Sequence, residues 1–211
     1  MSTQTTHLAQ PLVAPFPQIG PAMLVAYQDL NIAGGLEGTK EQQKALGDPS
    51  RLPRPWDVTT CTMPHLRREV WQWLEQVVNW LNHEFVWDVA TSIPACWPRH
   101  PHLVHEIGVI ADQRRRAGLH VDSDALEEWH RYCLPAFTDR MRTRLKSHCE
   151  EGHQPWPSRG RYNRHANEAS TVERTRLYEA DVTATTEIRS EPSSRPRLGV
   201  VDLTTGEVTD R

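Results

Sequence analysis

Six tryptophans, Trp71, Trp73, Trp80, Trp87, Trp97 and Trp129, fall between positions 61 and 150, and so do all four cysteines. Each of these rings carries a large apolar surface that has to leave water somewhere, so their placement dictates where a core can form. About sixty residues on either side are rich in Pro, Ser, Thr and charge and hold few groups that could nucleate a second core. The hydrophobic fraction of 37% and the mean hydropathy of −0.64 are low for 211 fully folded residues, which points to one small core. The expectation is therefore an all-α fold: a compact bundle of three main helices over 62–150, between a disordered N-terminal arm over 1–61 and a disordered linker over 151–197. A β-hairpin tail over 198–211 completes the expected organisation.

Apolar spacing supplies the three helices. Leu66, Val70, Trp73, Leu74, Val77, Trp80 and Leu81 recur at three- and four-residue steps after Pro64, predicting a helix that runs to about Phe85. Prolines at 94, 98 and 101 rule out helix through Ile93–Pro101 and predict a rigid connector. Pro101 then opens a second helix with Leu103, Val104, Ile107, Ile110 and Ala111 inward. It ends near Gly118, after Arg114-Arg115-Arg116, whose charge suits a helix C-terminus. Asp122-Ser123-Asp124 caps a third helix with Leu126, Trp129, Cys133, Phe137, Met141 and Leu145 on one stripe, and Pro135 should bend it. In the N-terminal arm, Pro21 with Met23, Leu24, Tyr27 and Leu30 reads as a short helix over 21–31, which either docks a partner, forms transiently, or packs on its own domain. At the other end, Leu198–Leu203, the Thr204–Glu207 turn and Val208 read as strand, turn and strand. Such a hairpin is marginal alone: it frays, docks on the helices or adds to a partner's sheet.

Charge and cysteine usage narrow the function classes. A net charge of −3 with pI about 6.4 gives no global basic field, so any nucleic-acid contact has to be local. The first twenty residues contain no Lys or Arg, and no apolar run reaches the roughly eighteen residues of a membrane span. These features predict a cytoplasmic chain without a membrane partner, whose cysteines at 61, 96, 133 and 149 are thiols rather than disulfides.

Two groups of side chains carry candidate chemistry. Cys96, His100, His102 and His105 lie close in sequence, with Cys133, His148, Cys149 and His153 further on, and zinc takes four N or S ligands from such residues. Paired ligands in a short knuckle are lacking, so packed thiols and surface histidines are the favoured reading and no cofactor is expected, with structural zinc at these residues the alternative. Arg114, Arg115, Arg116, Arg142 and Lys146 form the candidate nucleic-acid face, the last two pointing away from the apolar stripe. A solvated helix surface or an acidic protein partner explains the same residues. Trp73, Trp80 and Trp87 repeat every seven residues, which fits core filling better than a coiled-coil seam. A Gly-rich phosphate loop, HExxH and GxSxG are all missing from the sequence. A nucleophilic thiol or Ser123 has no visible base and acid, so no catalytic residue is assigned.

At the Trp73–Trp80 helix, the Pro-Ala-Cys-Trp-Pro-Arg-His-Pro connector (94–101) and Glu128-Trp129-His130, the chain resembles a family of uncharacterised actinobacterial proteins found near plasmid and conjugative-element genes. The likeness covers about 65–150, and Cys-Trp-x-x-His-Pro is its most specific part. It brings no activity or catalytic residues; it implies only a setting of mobile DNA. Together these readings favour a non-enzymatic adaptor of a mobile element that contacts a partner protein or DNA through the third helix and the arms. A small zinc-stabilised helical module is the alternative, and a thiol-dependent enzyme the least favoured.

Overall fold

A computed structural model of the chain describes residues 12–86, 88–156 and 158–190, with backbone alone at 186–190, 200–201 and 208–209. The chain divides into two units, 1–154 and 155–211. The first unit holds α1 (Pro21–Ala33), α2 (Lys40–Leu46), α3 (Pro64–Glu84), α4 (Pro101–Ala117), α5 (Asp124–Glu128) and α6 (Leu134–Leu145). The three expected helices are α3, α4 and the α5–α6 run, but more helices than these exist.

Helix α3 starts on Pro64, whose missing N–H falls in the turn where no partner is needed. It buries Leu66, Val70, Trp73, Leu74, Val77, Val78, Trp80 and Leu81, the periodic set with Val78 added. Helix α4 starts on Pro101 and buries Leu103, Ile107, Gly108, Ile110 and Ala111. Gly108 is where the helix meets backbone: a Cβ there would lie 2.4 Å from the Trp56 carbonyl oxygen. Between α5 and α6 the chain makes a π turn over Trp129–Cys133 instead of the expected simple bend. Pro135 has no N–H to give the Arg131 carbonyl, and the widened turn absorbs that broken ladder. Trp129, Phe137, Met141 and Leu145 are buried on the run, while Leu126 and Cys133 are half-buried.

Within the expected N-terminal arm over 1–61, the short helix expected at 21–31 is α1, packed on the chain's own domain, and the disorder expected of the rest is corrected for 12–61. Met23, Ala26 and Tyr27 of α1 are core residues, as are Val58 and Cys61. Helix α3 holds this segment through polar groups as well as apolar ones. The Trp80 and Trp73 indoles donate to the carbonyls of Ala14 (2.9 Å) and Pro17 (3.1 Å). Glu84 accepts from Ala14 N–H, and Glu69 accepts from the N–H groups of Ala22 and Met23 at the start of α1. That carboxylate satisfies orphan donors and the helix dipole together. Phe16 sits edge-on to Trp73 and Trp80, so the two tryptophans fill the chain's own core. Trp87 lies outside the described residues.

The disorder expected of the linker over 151–197 is corrected for its described part: α7 (Arg159–Ala166) and α8 (Glu168–Ser190) are helical, and 191–197 lie outside the described residues. Asn167 caps α8 by accepting from Ser170 N–H at 2.8 Å, and Arg176 pairs with Glu173 one turn away. Local capping and pairing therefore make a helix where no apolar stripe exists. The expected hairpin over 198–211 is not supported, and apart from 200–201 and 208–209 its residues lie outside the described ones. Among the described residues, no helix is long and apolar enough to cross a membrane.

Candidate metal centre

Two anchors hold the connector on α3. Asn82, near the end of α3, clamps Ile93 in both directions: its amide donates to the Ile93 carbonyl at 2.9 Å and accepts from the Ile93 N–H at 2.8 Å. The buried Trp97 tilts against Trp71, and its indole donates to Glu75 at 3.1 Å. Cys96, between these anchors, is held in place, and His100 follows at the cap of α4. On the other side, Leu145 is buried and α6 stops at Lys146, where the backbone turns to a φ of 52°. The chain doubles back through Cys149, itself buried at a φ of 72°. A non-glycine residue in the left-handed region is uncommon, and buried ones cluster at functional sites.

These two segments bring Cys96, His100, Cys149 and His153 together, one ligand atom from each lying within 4.8 Å of every other. His100 Nε2 is 3.3 Å from Cys96 Sγ and 3.5 Å from Cys149 Sγ. A tetrahedral zinc with Zn–N near 2.0 Å and Zn–S near 2.3 Å separates its ligand atoms by roughly 3.3–3.8 Å, so both distances are edges of such a polyhedron. The Gln154 N–H donates to Cys149 Sγ at 3.3 Å. Burial raises the Cys96 thiol, and the neighbouring Cys149 raises it further. Burial lowers the His100 imidazole, with His153 and His102 adding to it. The pocket thus disfavours the charged forms of Cys96 and His100. A divalent cation reverses that balance, because it deprotonates thiols outright. A thiol nucleophile paired with His100 would need Cys96 lowered rather than raised.

The sequence-predicted ligands divide. Cys96 and His100 belong to the cluster, whereas His105 is exposed and His102 stands beside it, its ring centroid 5.8 Å from that of His100. The other two ligands, Cys149 and His153, come from 49 and more positions away. Sequence reading noted both residues but had no spacing rule to select them from Cys133 and His148. A cleft of about 320 Å³ opens over the site, lined by Ile93, Cys96, Met141, Leu145, Cys149 and His153.

The candidate nucleic-acid residues are also divided. The Arg114 guanidinium lies over Phe16, Trp80 and Trp129, at 5.2–5.7 Å from their ring centres. Arg115 stacks on Tyr27 and pairs with the buried Asp112, and Arg116 pairs with the same carboxylate at 3.0 Å. These three cations are therefore occupied within the domain rather than presented as one patch. On α6, Arg140 and Arg144 both bind Glu106 of α4. Arg142 and Lys146 are exposed, as expected.

Fold and site together define a helical domain in which two cysteines and two histidines from distant segments converge. No protein-family profile, no curated protein and no solved structure matches the chain.

Proposed function

We propose that the first unit is a zinc-stapled helical interaction module. The observation that carries this reading is the convergence of Cys96, His100, Cys149 and His153 within 4.8 Å. Two sulfurs and two imidazoles gathered within 4.8 Å suit zinc among the abundant divalent metals. Four protein ligands fill its coordination and leave no position for an activated water, the pattern of a structural rather than a catalytic site. The metal would tie the connector to the end of α6, next to the exposed Arg142 and Lys146, and so fix the surface offered to a partner. A non-enzymatic adaptor role is consistent with that design, and its mobile-element setting rests on the resemblance of 65–150 alone. The test is metal content of the full-length chain purified without added metal, followed by cobalt substitution. One zinc per chain and the absorption of tetrahedral thiolate-bound cobalt are expected. Cys96→Ser and Cys149→Ser lose the metal and His105→Ala keeps it. A wild-type chain that takes up no zinc, with Cys96 and Cys149 open to alkylation, refutes the proposal.

A further inference from the structure

The cluster also has the features of an oxidation-sensitive latch. Both sulfurs lie within 3.5 Å of the same nitrogen, His100 Nε2, and within 4.8 Å of each other, so closing to a disulfide's roughly 2.05 Å needs movement on one side only. The two sides differ in their freedom to make it. Cys96 is fixed by the Asn82 clamp on Ile93 and by the buried Trp97. Cys149 sits on a turn with left-handed residues at both Lys146 and Cys149, and the exposed His153 follows it. The cleft over the site reaches both cysteines, and Cys96 is only half-buried, so a small oxidant has access. Cys61, by contrast, is buried and donates to the Arg54 carbonyl.

We infer that the Cys96–Cys149 pair is a redox latch, in which hydrogen peroxide converts the two zinc-held thiolates into a disulfide and expels the metal. The inference rests on the zinc reading above. The Cys96 thiolate, the more exposed of the two, attacks one peroxide oxygen. The O–O bond breaks, hydroxide leaves and a sulfenic acid forms on Cys96. The Cys149 thiolate then attacks that sulfur, forming the S–S bond and releasing a second hydroxide. Two protons from solvent complete two waters, so the thiolates lose two electrons, peroxide gains them, and one zinc ion is freed per chain. Thiolates held within reach of a second thiol follow this course rather than over-oxidation. The connector and the α6 end stay joined throughout, with a covalent bond replacing the metal.

The experiment uses full-length zinc-loaded protein treated with hydrogen peroxide, with a chromogenic chelator reading free zinc and non-reducing peptide mapping reading the bond. One zinc released per chain, a Cys96–Cys149 cross-link, and return of zinc binding after dithiothreitol and zinc addition are expected. Cys133→Ser behaves as wild type. Zinc bound at one per chain but retained in peroxide, or released with sulfinic acid and no cross-link, overturns the latch and leaves the metal site standing. A chain that never binds zinc overturns the metal reading and the latch with it.

Discussion

Removing zinc is the perturbation with the largest expected effect on this domain. The proposed zinc would join Cys96 to Cys149 and so close a loop of about 54 residues. Treated as a cross-link, it removes from the unfolded chain the entropy of closing that loop, about 4 kcal/mol at 25 °C. The ion would also hold the turn at Cys149, where φ is 72°. In a domain of this size each kcal/mol moves the midpoint by about 2–4 °C, so chelation should lower Tm by roughly 8–16 °C. The helices should survive it, because α3, α4 and α6 bury their stripes against one another independently of the site. The assay is thermal melting by circular dichroism at 222 nm, with and without a strong chelator, and again after zinc is restored. Three curves with one midpoint would refute the reasoning, since a cross-link between these two segments cannot be removed without cost.

Three further outcomes test the fold and the basic face. Gly108→Ala should destabilise by about 1–3 kcal/mol in urea melts despite Ala's better helix propensity, because its methyl would press on the Trp56 carbonyl at 2.4 Å; a neutral or stabilising result would mean α4 does not approach that backbone. Asp112→Ala should cost more, about 3–5 kcal/mol, than Tyr27→Phe at about 1.5, because the first strands the half-buried Arg115 while the second leaves the carboxylate bound to both Arg115 and Arg116; equal losses would contradict this arrangement. If Arg142 and Lys146 touch phosphates, duplex-DNA affinity should fall with salt at a log–log slope of roughly −0.9 per contact, and reversing both charges should flatten it; a wild type with no salt-sensitive binding at low ionic strength would make this face a solvated helix surface.

The sequence by itself determined the three central helices, because their signal is periodic and local: Leu66 to Leu81 and Leu103 to Ala111 are buried on the faces their spacing indicates. It also named Cys96 and His100, two of the four residues that converge in the cluster. What it missed has one physical cause in each case. Residues 14–23 show no apolar period, and their order comes from indole N–H groups and carboxylates on α3 that satisfy an otherwise linker-like backbone. Helix α8 likewise lacks a stripe and stands on a cap and ion pairs. The arginines of α4 looked like a surface run because their partners, Phe16, Tyr27 and Trp80, are remote in sequence. The fourfold cluster depended most on tertiary structure. No spacing rule links Cys96 to Cys149; their meeting is decided by how α6 ends against a connector that Asn82 and Trp97 hold in place, and by the left-handed turn that points the Cys149 sulfur back toward His100.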